Sequence, residues 1–285
     1  MKLCRFDDDR LGIVDGDALR DVTSILQQLP ATHYPAPRCD MLVANLGALT
    51  PAIEEAARAA VPIPLASVTL LSPVANPTKL ICAPVNYLKH LQEGADDPAI
   101  HHNRHLAKIQ EVALFLKATS ALVGPGEGIR LRNLDRRNDH ELELAVVIGR
   151  PADRVTRHEA MSFVAGYAIG LDMTTRGPED RSFRKSIDSY AVLGPWLVTS
   201  DEIADPGALD MSLTVNGELR QHANTRDLMV DIPDLIAWAS SFYTLHPGDV
   251  IYTGTPDGVG PVIPGDRIEA TIGSIGTMVV EVGQA

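Results

Sequence analysis

The chain has 285 residues, 45% of them hydrophobic, enough to bury a sizeable core in one large domain or in a small and a larger one. Its formal net charge is −12 and its Lys and Arg residues form no cluster, which argues against nucleic acid and anionic membranes as partners. Three cysteines without a C-x-x-C pair, an N-terminus unlike a signal peptide and no apolar run of about 18 residues lead to the expectation of a reduced, cytoplasmic chain.

Residues 2 to 22 read as short strands around Asp15-Gly16: Lys2–Phe6, Leu11–Val14 and Leu19–Val22. A helix is expected around Thr23–Leu29. Thr50-Pro51 has the form of an N-cap followed by proline at the first helical position, so a second helix is expected from there to Ala60, stopped by Pro62 and Pro64. A strand at Val68–Leu71 and a Pro-punctuated link from Ser72 to Lys79 place a boundary near residue 75. Residues 1–74 are then expected to form a small N-terminal α+β accessory domain, and residues 75–285 the domain that carries the chemistry.

Leu80–Ala83 reads as a strand, followed by a polar stretch with Asn86-Tyr87 and His90-Leu91-Gln92-Glu93. Ala113–Phe115 leads as a short strand to Lys117. Gly124-Pro125-Gly126-Glu127-Gly128 is a turn whose spacing does not fit a dinucleotide-binding loop. Residues 141 to 148 are Leu-, Val- and Ile-rich and stop at Gly149, as a strand would. Alternation puts Leu142, Leu144, Val146 and Ile148 on one face and Glu141, Glu143, Ala145 and Val147 on the other. Two carboxylates at the rim of a buried face repel unless a cation or a proton intervenes, whereas ordinary alternation would leave both solvated. Beyond residue 175 the pattern is mostly β: Ala191–Thr199, a hairpin at Met211–Gln221 around Asn216-Gly217, and strands after two Pro-Gly-Asp turns. A helix is expected at Pro233–Phe242, with Leu235, Ile236, Ala239 and Phe242 on one face.

Ten motifs then occur in one order: Asn86-Tyr87-x-x-His90-x-x-Glu93, Phe115-Leu116-Lys117, Glu141 to Gly149, Val164-Ala165-Gly166-Tyr167, Leu171-Asp172-Met173-Thr174, Lys185-Ser186, Gly194-Pro195-Trp196, Val215-Asn216-Gly217-Glu218, Pro247-Gly248-Asp249 and Thr253-Gly254-Thr255-Pro256. Together they resemble the fumarylacetoacetate hydrolase family over roughly residues 75 to 283, closest in wording to acylpyruvases that also decarboxylate oxaloacetate. The resemblance implies an α+β, mostly β fold: a mixed β-sandwich roll with a small N-terminal domain, paired as a homodimer. It implies one metal on Glu141, Glu143 and Asp172. Such an all-oxygen site suits Mg²⁺, Mn²⁺ or Ca²⁺ rather than Zn²⁺. It also implies a catalytic His90 partnered by Glu93, a Lys185 that faces the substrate and takes part in catalysis, and Thr255 at the ligand. Arg176 is expected either to neutralise a substrate carboxylate or to brace Asp172, and Lys117 to support the metal carboxylates. Residues 84–110 are expected to act as a lid.

The implied activity is cleavage of a C–C bond in a small anionic β-diketo acid, an acylpyruvate or a relative, through a metal-chelated enolate and a water activated by His90 and Glu93. The alternative is a decarboxylase or keto–enol isomerase acting on oxaloacetate or a 2-hydroxydienoate. The segment between Asp172 and Lys185 departs from the family wording and is shorter than usual, which leaves the substrate open. His101 and His105 have the i, i+4 spacing of a helical metal pair in a polar segment better read as solvated loop.

Overall fold

The computed structural model describes residues 1–101 and 108–285. The chain builds one large mixed sheet and a five-stranded sheet that share a core, and a three-stranded sheet ordered Thr174–Thr175, Asn138–His140 and Gly260–Pro261. Across the large sheet the main path runs Pro62–Pro64, Ala18–Asp21, Arg10–Asp15, Lys2–Phe6, Ala191–Thr199, Val164–Asp172, Leu142–Ile148, Val250–Tyr252, Leu80–Cys82 and Phe115–Lys117. The second sheet is ordered Glu218–Asn224, Asp210–Val215, Arg267–Ile272, Gly276–Gln284 and Ile129–Leu131. The architecture is α+β and mostly β, as expected.

The strand Leu142–Ile148 lies inside the large sheet and is buried on both faces. Leu142, Leu144, Val146 and Ile148 join one apolar cluster, which extends to Leu213, Ile268 and Val280 of the second sheet. Ala145 and Val147 join another, with Leu46 and Ile53 of the N-terminal helix. The alternation read from the sequence is therefore the division between two cores. Residues 1–74 contribute to both, and their first strand continues the large sheet by pairing Lys2 with Val198 and Leu3 with Leu197.

Three helical segments differ from expectation. The N-terminal helix runs Met41–Ala59 and carries Pro51 in its interior. Asp40 is its cap, accepting from the Val43 N–H at 3.0 Å. Pro51 cannot donate to the carbonyl four residues back, yet the helix continues because Val43, Leu46, Leu49, Ile53 and Ala57 form one buried stripe. Packing on the sheet outweighs the local break. In the helix Ile232–Phe242, Leu235, Ile236 and Ala239 are buried but Phe242 is 71% exposed, because the chain leaves helical geometry at Tyr243, where the packed surface ends. The residues expected as a helix at 23–29 form a 3₁₀ turn, Thr23–Gln28. The hairpin Asp210–Val215/Glu218–Asn224 turns through Asn216 and Gly217, both at positive φ, as a tight Asn-Gly turn requires.

Candidate active site

Strand register alone brings three carboxylates together. Glu143 pairs with Gly170 of the neighbouring antiparallel strand, so Asp172, two residues on, shares its face. The Asp172 N–H donates to the Glu141 carbonyl at 2.9 Å, which ties the ends of the two strands. Glu141 itself sits just before the strand Leu142–Ile148. One oxygen from each of Glu141, Glu143 and Asp172 lies within 4.8 Å of the others, and all three residues are buried.

Buried carboxylates must be neutralised. Lys185 Nζ donates to Glu141 Oε2 at 2.6 Å and to Asp172 Oδ2 at 2.8 Å. Lys117 Nζ, from beneath, donates to Asp172 Oδ1 and to the Tyr190 carbonyl at 2.6 Å. Arg176 donates to Asp139 at 2.8 Å and to Glu141 at 3.1 Å, so it braces Glu141 rather than Asp172. Burial pushes the Glu141 carboxyl up, but the charges of Lys185 and Arg176 overcome this and hold it well below its ordinary range.

Glu143 differs from its neighbours. Its contact is the Gly254 N–H at 2.6 Å, and among the described residues no cation pairs with it. Burial, with the nearby charges of Asp172 and Glu141, raises its pKa well above the ordinary range. One carboxylate thus lacks a counter-charge beside two that are already fixed in place. A hard, all-oxygen donor set of this kind fits Mn²⁺ or Mg²⁺.

Above the carboxylates, the helix Leu88–Asp96 buries His90 against the site. His90 Nδ1 lies 3.0 Å from Glu93 Oε2, and the other Glu93 oxygen accepts from the Gly258 N–H at 2.9 Å. Glu93 is thereby fixed at both oxygens, and Nε2 remains as the histidine nitrogen able to exchange a proton with a ligand. Asn86 ties the start of this segment to the Thr253–Pro256 turn, donating to the Val230 and Thr253 carbonyls at 2.8 Å each. In that turn Gly254 has φ +103°, and a Cβ there would stand 2.6 Å from that of Asn86, so the close approach requires glycine. The expected lid, residues 84–110, is described up to residue 101 and again from 108. His102 and His105 lie outside the described residues.

Thr255 is oriented by a chain of fixed hydrogen bonds. The Leu142 N–H donates to Gln221 Oε1 at 3.0 Å, and Gln221 Nε2 donates to the Pro256 carbonyl at 3.1 Å, which sets the direction of the amide. The same Nε2 donates to Thr255 Oγ1 at 2.9 Å, so the threonine hydroxyl accepts there and keeps its own proton for another acceptor. His140 Nδ1, 3.2 Å from Gln221 Oε1, must therefore donate. Burial lowers the His140 pKa and holds the ring neutral, with Nε2 buried and unpartnered.

These groups line a cavity of about 270 Å³. Glu141, Glu143, Asp172, Lys185, His90 and Thr255 form its charged and polar floor, while Val85, Ile100, Val112 and Phe115 give it an apolar side. The segment from Arg176 to Lys185 closes the rest. The sequence reading missed Gln221, Asn86 and Asp139 as positioning groups. Asn86 lies in a motif quoted for the resemblance and Asp139 and Gln221 lie two and three residues outside one, and the roles of all three depend on contacts between distant segments.

The sheet brings three clustered carboxylates and a histidine–glutamate pair to one cavity, a donor set and a proton acceptor of the kind metal-assisted chemistry uses, and the chain belongs to the fumarylacetoacetate hydrolase family. The family model for the fumarylacetoacetate (FAA) hydrolase C-terminal domain matches residues 79–283. Over 284 residues, 99% of each chain, the sequence is 57% identical to a maleylpyruvate hydrolase of Aquipseudomonas alcaligenes. The crystal structure of maleylpyruvate hydrolase from Sphingobium sp. SYK-6, in complex with manganese(II) and pyruvate, is 44% identical with a TM-score of 0.85 and full coverage of both chains. A mitochondrial oxaloacetate tautomerase of Rattus norvegicus is 38% identical over 232 residues, 77% of this chain and 71% of that protein.

Proposed function

We propose that this chain is a Mn²⁺- or Mg²⁺-dependent hydrolase that cleaves the C–C bond of an acylpyruvate, with maleylpyruvate as its substrate. The observation that carries the reading is that the three clustered carboxylates and the His90–Glu93 pair line one cavity. The likeness to the maleylpyruvate hydrolase of Aquipseudomonas alcaligenes supports the choice of substrate.

Glu141, Glu143 and Asp172 hold the cation, which when bound supplies Lewis acidity to the oxygens of the α-keto acid. Lys185 and Arg176 fix the carboxylates and add positive charge where an anionic substrate docks. Glu93 holds His90 through Nδ1, so that Nε2 takes the proton of a water. The hydroxyl adds to the ketone carbon farther from the pyruvoyl carboxylate. The bond between that carbon and the adjacent methylene breaks, and its electron pair stays on the methylene. Protonation there gives pyruvate, and the acyl half leaves as a carboxylate, maleate in this case. Thr255 offers its hydroxyl proton to a substrate oxygen.

Purified protein with Mn²⁺ is expected to convert maleylpyruvate to equal amounts of pyruvate and maleate. His90→Ala should lose about 10²–10⁴-fold in rate while still binding Mn²⁺. Likeness to the rat oxaloacetate tautomerase favours a second reading in which no water attacks. Turnover of oxaloacetate without cleavage of any acylpyruvate would establish that reading instead.

The proposal includes a cytoplasmic homodimer. Size-exclusion chromatography with light scattering tests the dimer. Among the described residues no helix is long and apolar enough to cross a membrane. Residues 1–74 act in this reading as an accessory layer, in keeping with a family match that begins at residue 79.

A further inference from the structure

We infer that Arg184 is the specificity residue of this site: it binds a second carboxylate at the far end of the substrate's acyl half and so selects dicarboxylic acylpyruvates. The inference rests on the acylpyruvate reading above.

Among the described residues four lysine and arginine side chains line the cavity: Arg176, Arg181, Arg184 and Lys185. Lys185 and Arg176 are committed to Glu141, Asp172 and Asp139 and belong to the carboxylate floor. Arg184 is built differently. Its Nε donates to the Glu179 carbonyl at 2.9 Å and its Nη1 to the Thr175 carbonyl at 3.2 Å. Both partners are neutral, and among the described residues no carboxylate lies within ion-pair distance of it. Nη2 has no partner among those residues.

The guanidinium is thus aimed by two backbone bonds, and among the described residues its charge forms no ion pair, with the carboxylates of Glu141 and Glu179 acting on it only from a distance. It is half-buried, and burial together with the neighbouring charge of Arg176 lowers its pKa. A partly desolvated cation among other cations gains most from an incoming anion. Asp180, the nearest acid in sequence on this wall, is turned to its own helix and accepts from the Ser182 N–H and hydroxyl at 3.0 Å.

The cavity therefore has two anion sites of different kinds. One is the carboxylate cluster with its cation, which takes the keto-acid end. The other is the Arg184 wall, which has no function for a substrate ending in a methyl group. Maleylpyruvate carries a carboxylate at both ends; acetylpyruvate carries it at one. Guanidinium is suited to a carboxylate because its donors lie in one plane and it keeps its charge when partly desolvated.

The test compares wild type, Arg184→Met and Arg184→Lys. The first readout is the ratio of kcat/KM for maleylpyruvate to that for acetylpyruvate. The second, independent of turnover, is calorimetric affinity of the Mn²⁺-loaded protein for maleate against isocrotonate, which replaces one carboxylate by a methyl group. Both ratios are expected to favour the diacid in the wild type, to fall about tenfold or more in Arg184→Met, mainly through KM, and to fall less in Arg184→Lys. If Arg184→Met does not fold, Arg184→Lys reads the same two ratios, because it keeps the charge and loses the planar fork. Ratios that stay at the wild-type value, or a wild type without diacid preference, overturn the assignment. So does an equal fall for diacid and monoacid, the mark of a purely structural arginine. A wild type that prefers maleate through Arg184 yet cleaves no acylpyruvate would overturn the hydrolase reading and leave this subsite standing.

Discussion

The floor and the wall of the cavity solve opposite problems. On the floor, two of the three carboxylates are held by buried lysines and an arginine, and those cations touch acids in turn. On the wall, bonds that hold residues 176–184 include side-chain donations to carbonyl oxygens and the partly exposed pair Arg136–Glu179. The floor lies at the ends of central strands, where register fixes positions to a fraction of a residue. The wall is a short connection whose shape depends on a few arginines. A site with a rigid charge cluster and a loosely specified rim keeps its reaction while its substrate is free to change.

The largest effect separating the two regions should come from Glu143, the carboxylate with no ion pair among the described residues. Glu143→Ala is expected to weaken Mn²⁺ binding by on the order of 100-fold or more and to abolish hydrolysis with it. Calorimetry reads this directly, and unchanged affinity would remove Glu143 from the metal site. Lys117→Met comes next. It leaves Asp172 with one cation partner in a closed interior, and loss of about 3–5 kcal/mol of stability is expected in chemical denaturation. A smaller loss would mean that Lys185 alone neutralises Asp172.

Protons should compete with the metal on the floor. Burial and the charges of Asp172 and Glu141 raise the Glu143 pKa above its ordinary 4.5. In the metal-free protein this stabilises the protonated form, so its contribution to stability is present at low pH and is lost as pH rises through the raised pKa. A cation must displace that proton, so Mn²⁺ affinity rises with pH. The increase in Tm on adding Mn²⁺ should therefore grow as the pH is raised from about 5.5 to 8, an interval above the ordinary glutamate pKa. An increase of constant size over that interval would show that Glu143 holds no proton to release.

The same contrast explains what the sequence disclosed. Glu141, Glu143 and Asp172 were legible because strand period and motif order both point to them, and the fold turns period into position. The division of Leu142–Ile148 between two cores was legible for the same reason. The helix Met41–Ala59 was not, because local chemistry at Thr50-Pro51 imitates a helix start while the packing that overrides it involves Ile53 and distant strands. Gln221 was hidden in another way. It accepts from Leu142, 79 positions away, and donates to Thr255, and no periodicity in its own hairpin singles it out. Arg184 gave no signal because the role inferred for it rests on its having no ion pair among the described residues, a property of the folded wall.

The smallest expected effect tests whether wall and floor are coupled at all. Arg136 donates to both oxygens of Glu179, at 3.1 and 2.7 Å, and to the Arg176 carbonyl at 2.7 Å from the same guanidinium. Gly177 makes room for it, since a Cβ there would fall 1.6 Å from Arg136 Nη2. The pair is partly exposed, 25% for Arg136 and 39% for Glu179, so solvent screens it and its loss should cost no more than about 1 kcal/mol. Arg136→Gln is therefore expected to lower Tm slightly and to raise KM for maleylpyruvate a few-fold by loosening the carbonyls that aim Arg184. Mn²⁺ affinity should stay within about twofold, because the Arg176 side chain still reaches Glu141 and Asp139 when its carbonyl is released. A parallel fall in Mn²⁺ affinity would show that strain in the wall passes through Arg176 into the carboxylates, and the two regions would then be one unit.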